Sequence, residues 1–417
     1  MISRVLSAEL AEHAGQRVKV AGWVHRRRQL KSVSFLILRD RTGLAQAVLS
    51  GDLPVEESVV EVTGTVTVNP QAPGGVELTA PEIAVLAEPA VAPPFDLYRP
   101  GVPAALPTIL DHAPVALRHP ALRAPFQIAA AGVAGFRSAL DSLGFTEIQT
   151  PKIVASATES GANVFGIDYF GRPAYLAQSP QFYKQAMVGV FERVYEVGPV
   201  FRAEPHDTAR HLAQYTSLDA ELGFVRDHRD VMAVLREALA GMTEEVRRRA
   251  GQAVETLGVA LPEVPGEIPS IHFTEAQEMT GEDEPDLSPA QERWLSEWAM
   301  REHGSEFLFV TGYPMVKRPF YTHPDPERPG YSNGFDLLFR GLELVTGGQR
   351  LHRHADYLAV LGEDVGPYEG YLSAFAHGMP PHGGFAIGLE RWTARLTGAA
   401  NVRSATLFPR DLHRLAP

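Results

Sequence analysis

Residues 193–224 read RVYEVGPVFRAEPHDTARHLAQYTSLDAELGF, which parses as two strands around a loop. With the period of two that a strand imposes, Glu196, Arg202 and Glu204 fall on one face of the first strand. Tyr195, Val197, Phe201 and Ala203 fall on the other. In the second strand Asp219 and Glu221 alternate with Leu218, Ala220, Leu222 and Phe224. The connection from Pro205 to Leu212 is longer than a tight hairpin turn and holds His206, Arg210 and His211, so it is a candidate ligand-binding loop. A central strand face dense in charge calls for a charged ligand. An exposed sheet face of paired Arg and Glu would explain one such segment, but more segments follow the same rule.

Working outward, SNGFDLLFRGLELVTGGQR (332–350) reads as a strand with Asp336, Leu338 and Arg340 on one face and Glu343 near its end. A turn with two glycines then presents Arg350. Glu343 and Thr346 are hard oxygen donors of the kind magnesium accepts when substrate phosphates complete its shell. In PPHGGFAIGLERWTARLTG (380–398) a glycine-flanked strand passes at Gly388 into a helix carrying Glu390 and Arg391, where a backbone can approach a ligand and an Arg can meet phosphate. YLAQSPQFYKQ places Gln178, Gln181 and Lys184 at three-residue steps as it enters a helix; Gln and Lys together can hold a carboxylate, but taken alone the pattern is far more often a solvated helix face.

What is missing narrows the chemistry. There is no cysteine, which excludes disulfides, thiolate metal sites and cysteine nucleophiles. No P-loop, G-x-G-x-x-G turn or H-E-x-x-H helix occurs, so a bound nucleotide is held by another device. Neither His206 with His211 nor His352 with His354 has a familiar zinc spacing with a third partner. The 417 residues suffice for two or three domains, and 45% hydrophobic with 21% charged residues is a globular balance. No apolar run approaches a membrane span and no signal-peptide core is present, which reads as a cytoplasmic protein with no membrane partner.

The net charge of −12 argues against indiscriminate nucleic-acid binding, yet Gly15 to Arg39 carries seven basic residues and no acidic one. Around it, VKVAGWVH, VSFLILRD, AQAVLS, VVEVTGTV and VELTAPEIAVL read as five short strands. An OB-type barrel fits them, as does a generic small β-domain with a charged rim. Nine prolines between Glu88 and Pro125 mark a linker. The division is therefore residues 1–88 barrel, 89–124 linker and 125–417 second domain. In that last part Leu235, Leu239, Met242 and Val246 form a packing stripe, and the acidic stretch 278–302, with Trp294 and Trp298, reads as a peripheral insertion.

In order, these segments resemble the three signature motifs of class II aminoacyl-tRNA synthetases, and within them the aspartyl-tRNA synthetases of the shorter, archaeal-type group. The helix, strand and Pro151 resemble motif 1, FRAE (201–204) motif 2 and GLER (388–391) motif 3, with QSPQFYK, GGQR and a GWVH-type barrel between and before them. The stretch from Phe224 to Gly334 leaves little room for the extra domain of long bacterial members. The resemblance implies an α+β fold: an antiparallel sheet flanked by helices, preceded by an all-β OB-fold barrel that reads the anticodon. It implies ATP as substrate, Mg2+ on Glu343 and Thr346, and a homodimer built through the motif 1 region.

The resemblance also implies residue roles. Arg202 would contact the α-phosphate, Glu204 the adenine end or acceptor side, Arg210 and His211 the phosphate tail, and Arg391 the γ-phosphate; these, with Ala203, Leu212, Glu343, Gly388, Leu389 and Glu390, would form the ATP site. Arg202, Glu204 and Arg391 would be catalytic. Lys184 and Arg350 would bracket the aspartate side-chain carboxylate, with Glu159, Gln181, Arg202, Tyr321 and Thr346 completing that pocket. Arg26 and Arg28 would attract tRNA, and Trp23, His25 and Phe35 would stack on anticodon bases, unless Trp23 and Phe35 are barrel core. His25, where members restricted to tRNA-Asp tend to carry Trp, and Pro73 resemble the relaxed type that also charges tRNA-Asn for a separate amidotransferase. An asparaginyl-tRNA synthetase, an aspartyl-adenylate-dependent amide ligase and a non-enzymatic RNA-binding relative are the competing readings.

Overall fold

The structure, a computed structural model, describes residues 4–156, 163–281 and 283–416. It divides into two units, Met1–His119 and Pro120–Pro417, each with its own core.

In the first unit β1 (Arg17–Gln29), β2 (Ser34–Arg39), β3 (Leu44–Leu49), β4 (Val59–Val68) and β5 (Val76–Ala87) close a barrel in the order β1-β2-β3-β5-β4, with β3 and β5 parallel. Closure leaves no strand edge unpaired, which suits a unit this small. Alternate residues fill the interior, among them Val18, Val20, Leu36, Leu38, Val60 and Val62, all at most 4% exposed. The alternation breaks once. Val24 pairs with Leu38 and Arg26 with Ile37, so His25 is the extra residue of a β-bulge, and Val24 and His25 are both buried. In the proline-rich segment, prolines sit in the first turns of two short helices, α1 (Leu106–Asp111) and α2 (Ala113–Ala116), where a missing N–H costs nothing.

The second unit opens with α3 (Pro120–Ser142), which takes Pro125 into its buried face. Strands β6 (Thr146–Glu147) to β9 follow, the last three being β7 (Ile153–Val154), β8 (Gly166–Tyr169) and β9 (Arg172–Leu176), a small sheet of their own. Next come α4 (Gln181–Phe191), β10 (Arg193–Phe201), β11 (Gln214–Gly223), α5 (His228–Arg249), α6 (Gly251–Leu257), β12 (Ser270–His272), α7 (Phe273–Thr280), α8 (Pro289–His303) and β13 (Phe307–Thr311). The chain ends through β14 (Gly334–Phe339), β15 (Leu342–Arg350), α9 (His354–Leu361), α10 (Glu369–Ala376), β16 (His382–Gly388) and α11 (Leu389–Thr397). The main sheet has eight strands in the order β12-β13-β14-β15-β16-β11-β10-β6, antiparallel except at its two outer pairs.

Helices α3 and α5 cross against this sheet at Gly135 and Gly241, where a Cβ on Gly135 would lie 2.3 Å from the Gly241 carbonyl oxygen. Leu235, Leu239, Met242 and Val246 are fully buried there, the stripe expected from their spacing. The segment 332–350 is a hairpin rather than one strand and a turn. Arg340 and Gly341, both at positive φ, make the two-residue connection, and Gly347 and Gly348 lie inside β15. Among the described residues no helix is long and apolar enough to cross a membrane.

Candidate active site

One cavity of about 280 Å³ in the second unit gathers side chains from all four segments singled out in the sequence. Helix α4 contributes Gln181 and Lys184; the chain beyond β10 contributes Arg202, Glu204, Arg210, His211 and Leu212; β15 contributes Glu343, Thr346 and Arg350; and the start of α11 contributes Gly388, Glu390 and Arg391, with Tyr321 alongside. Ala203 and Leu389, expected here, do not line it: Leu389 packs against the hydrophobic core. Glu159 lies outside the described residues. The face drawn through Glu196, Arg202 and Glu204 does not persist. Strand β10 stops at Phe201, and Glu196 is buried against Lys152 at 2.7 Å, away from the cavity.

At one end, Lys184 is 1% exposed, with Nζ 3.0 Å from Asp219 and 3.3 Å from Glu221. The Arg350 Nε donates to Glu221 at 3.1 Å, and its guanidinium stands 5.5 Å from the Tyr321 ring centroid. Burial opposes ionisation of Glu221, but Arg350 and Lys184 outweigh it and hold its carboxyl below the usual range. Antiparallel pairing sets Glu221 opposite Gly384, and a Cβ there would come within 2.1 Å of the Glu221 Oε2, so only glycine fits. The two cations are thus already balanced by two buried carboxylates, and Lys and Arg offer only N–H groups, which a carboxylate accepts with both oxygens and an amide with one.

At the other end, the Arg202 guanidinium lies 3.8 Å from Glu204 and 5.8 Å from the centroid of Tyr215, an aromatic contributor to the cavity that the sequence reading missed. The Arg391 Nη1 donates to the Glu343 carbonyl at 3.2 Å. Burial and the neighbouring Arg391 keep His211 below the usual imidazole value, while Thr208 contacts its Nδ1 at 2.6 Å. Arg210 is held by both oxygens of Glu292, at 3.1 and 3.2 Å, and Glu292 Oε2 also accepts the Glu343 N–H at 3.1 Å. Glu292 belongs to α8, so the acidic stretch read as a peripheral insertion reaches the cavity wall. Glu390 accepts the Thr216 N–H with both oxygens at 3.0 Å, yet burial raises its pKa to about 7.

The donor set at Glu343 suits a hard cation sharing substrate phosphates. Thr346 Oγ1 donates to Glu343 Oε1 at 3.0 Å, and although burial works against it, Arg391 and Thr346 hold Glu343 ionised. Among the described residues no group of three His, Asp or Glu forms a self-sufficient metal site, so phosphate oxygens would have to complete the shell. Asp336, paired with Arg318 at 3.1 Å, stands across from Thr346 in the β14–β15 ladder.

In the barrel, Trp23 is 36% exposed and Phe35 is half-buried, with the Arg118 guanidinium 6.0 Å from the Trp23 centroid and that of Arg28 5.9 Å from Phe35. Arg26 is exposed over the Tyr98 ring, and Pro73 opens a short turn before β5. His25 corrects an expectation: the residue is 8% exposed and offers no open stacking face. It instead meets Arg39 at 3.0 Å, and burial followed by that cation lowers its pKa to about 4.

Comparison with known proteins agrees with both units. Residues 18–86 match the OB-fold nucleic acid binding domain, and residues 106–412 match the tRNA synthetases class II (D, K and N). An aspartate–tRNA(Asp/Asn) ligase of Thermus thermophilus is 49% identical over 99% of this chain and all of that protein, and one of Deinococcus radiodurans is 48% identical over 100% of this chain and 99% of that protein. The crystal structure of asparaginyl-tRNA synthetase from Pyrococcus horikoshii complexed with asparaginyl-adenylate superposes with a TM-score of 0.92 at 31% identity, each chain fully covered. The barrel and the sheet are thus those of one family, and the chain belongs to the class II tRNA synthetases (D, K and N).

Proposed function

We propose that the enzyme activates L-aspartate with ATP and transfers the aspartyl group to the 3′ end of tRNA-Asp and of tRNA-Asn. The observation that carries this reading is the convergence of Lys184 and Arg350 in the cavity that Arg202 and Arg391 also line. The names of the curated relatives support it.

In the first step the α-carboxylate of aspartate attacks the α-phosphorus of ATP in line, forming the mixed anhydride and expelling pyrophosphate. Two anions must meet, so the site has to supply positive charge where it develops. Arg202 would stand at the α-phosphate, and Arg391 and His211 along the leaving pyrophosphate. Arg210 would join them on leaving Glu292, and Glu204, Gly388 and Glu390 would border the nucleotide. Glu343 and Thr346 would hold Mg2+, which when bound neutralises phosphate charge. Lys184 and Arg350 would take the side-chain carboxylate, with Gln181 and Tyr321 around the rest of the amino acid. In the second step the terminal ribose hydroxyl of tRNA attacks the aspartyl carbonyl and AMP leaves.

The barrel would read the anticodon through Trp23 and Phe35, with Arg26 and Arg28 on the phosphates. Pairing through the motif 1 region and delivery of Asp-tRNA-Asn to an amidotransferase complete the reading, in the cytoplasm. One observation favours a second substrate: the neutral Lys184, Arg350, Asp219, Glu221 cluster also suits asparagine. ATP–pyrophosphate exchange with aspartate and asparagine in parallel, then charging of purified tRNA-Asp and tRNA-Asn, decides. Exchange with asparagine alone rejects the proposal, and absent charging of tRNA-Asn rejects its relaxed form.

A further inference from the structure

Beneath the amino-acid end of the cavity lies a buried polar network that the chemistry above does not use. Gln185, one helical turn after Gln181, is fully buried, and its neighbour His382 is fully buried at the start of β16. The order of donors and acceptors follows from one fixed point. The Pro380 carbonyl can only accept, and His382 Nδ1 lies 2.9 Å from it, so that nitrogen carries the proton. Burial keeps the ring neutral, its pKa lowered to about 4, which leaves Nε2 an acceptor. Gln185 Nε2 is 2.9 Å from that atom and must donate to it. Gln185 Oε1 therefore points the other way, where it accepts from Gln181 Nε2 at 2.9 Å and from the Tyr371 hydroxyl at 3.1 Å. Tyr371 and Tyr357 can each donate and accept, so they fit this polarity without setting it. Phe182 stacks on Tyr371 with centroids 4.3 Å apart, clamping the start of α4.

We propose that Gln185 is a positioning residue: held by His382, it fixes the Gln181 carboxamide with its nitrogen inward and its carbonyl oxygen toward the cavity, so that the site requires a hydrogen-bond donor, the α-ammonium of the amino acid, at that point. This rests on the amino-acid activation proposed above. Without the relay a glutamine amide can present either end, because its two ends are nearly isosteric. With it, a ligand identical to aspartate but lacking the amino group is refused even though it fills the carboxylate end equally well.

The test compares L-aspartate with succinate, which lacks only that amino group. In aspartate-dependent ATP–pyrophosphate exchange, Gln185→Met should raise KM for aspartate about tenfold, the scale of one charge-assisted hydrogen bond. The inhibition constant of succinate and KM for ATP should stay within about twofold, since neither uses that bond. Gln185→Glu, with one oxygen still accepting from Gln181 Nε2 and a proton shared between the other oxygen and His382 Nε2 in place of the amide N–H, should keep the wild-type aspartate-to-succinate ratio. An unchanged aspartate KM in Gln185→Met, or equal rises for aspartate, succinate and ATP, overturns the relay. Loss of the ratio in Gln185→Glu does so too. A wild-type enzyme without aspartate-dependent exchange sinks the activation reading instead. In that case, or if neither variant folds, 15N spectra of the histidine-labelled wild-type chain decide: a neutral Nδ1–H tautomer at His382 supports the relay, and an Nε2–H ring or an imidazolium at neutral pH refutes it.

Discussion

Lys184 answers two buried carboxylates, and that makes its removal more than the loss of one donor. In Lys184→Met, Asp219 loses its cation and Glu221 keeps only Arg350, so the cluster beneath the cavity turns anionic where an acidic ligand would enter. Removing one partner of a buried, hydrogen-bonded charge set should lower kcat/KM for aspartate about 10²- to 10³-fold. The loss for asparagine should be smaller, so the ratio of the two in pyrophosphate exchange should fall; equal losses would speak against a charge role. Glu390 gives a prediction in pH. Burial raises its folded pKa from 4.5 to about 7, so the folded chain holds this proton where the unfolded chain has lost it. Its contribution is therefore fully present below pH 4.5 and is lost as pH rises through about 7, by up to about 3 kcal/mol. Urea unfolding at pH 5 and pH 8 should show that fall in the wild type and a smaller one in Glu390→Gln.

At the scale of elements, α8 buttresses the site through a single carboxylate. Glu292 joins Arg210 on the 205–212 loop to the backbone of β15, and Glu292→Ala leaves Arg210 without that bidentate partner and the Glu343 N–H without its acceptor. Because Arg210 is part-exposed, the expected loss is about 1–3 kcal/mol, less than for a fully buried pair. Urea titration measures it, and faster tryptic cleavage at Arg210 should accompany it. The sequence made β10 and β11, the pair Gln181 and Lys184 in α4 and the Gly388 helix start legible, because period-two and helical spacing are local properties. It did not make Glu292 legible, since nothing near residue 292 says that α8 will lie against β15. The same limit hid the pairing of Lys184: β16 joins β11 from far along the chain, and only that register brings Gly384 under Glu221. At His25 the local rule itself misled, because one inserted residue reverses which side chains face inward.

For the whole molecule, the division at His119 means that each unit carries its own core, and the barrel alone should fold. A fragment of residues 1–119 should unfold cooperatively by circular dichroism and bind an anticodon stem-loop with an affinity that drops as salt rises. Arg26→Ala with Arg28→Ala should flatten the slope of log K against log[salt] by about 1 to 2. An unchanged slope would remove both residues from the RNA face. The bulge at His25 has a consequence for how decoding breadth can change. An indole is larger than an imidazole, and the buried His25 ring already meets Arg39, which Glu57 holds in turn at 2.8 Å. On the proposed reading of the anticodon, a Trp at 25 would reach an RNA base only once the extra residue of the bulge is absorbed and the strand straightened. Narrowing or widening the choice of tRNA at this position would then be a change of backbone path first and of side chain second.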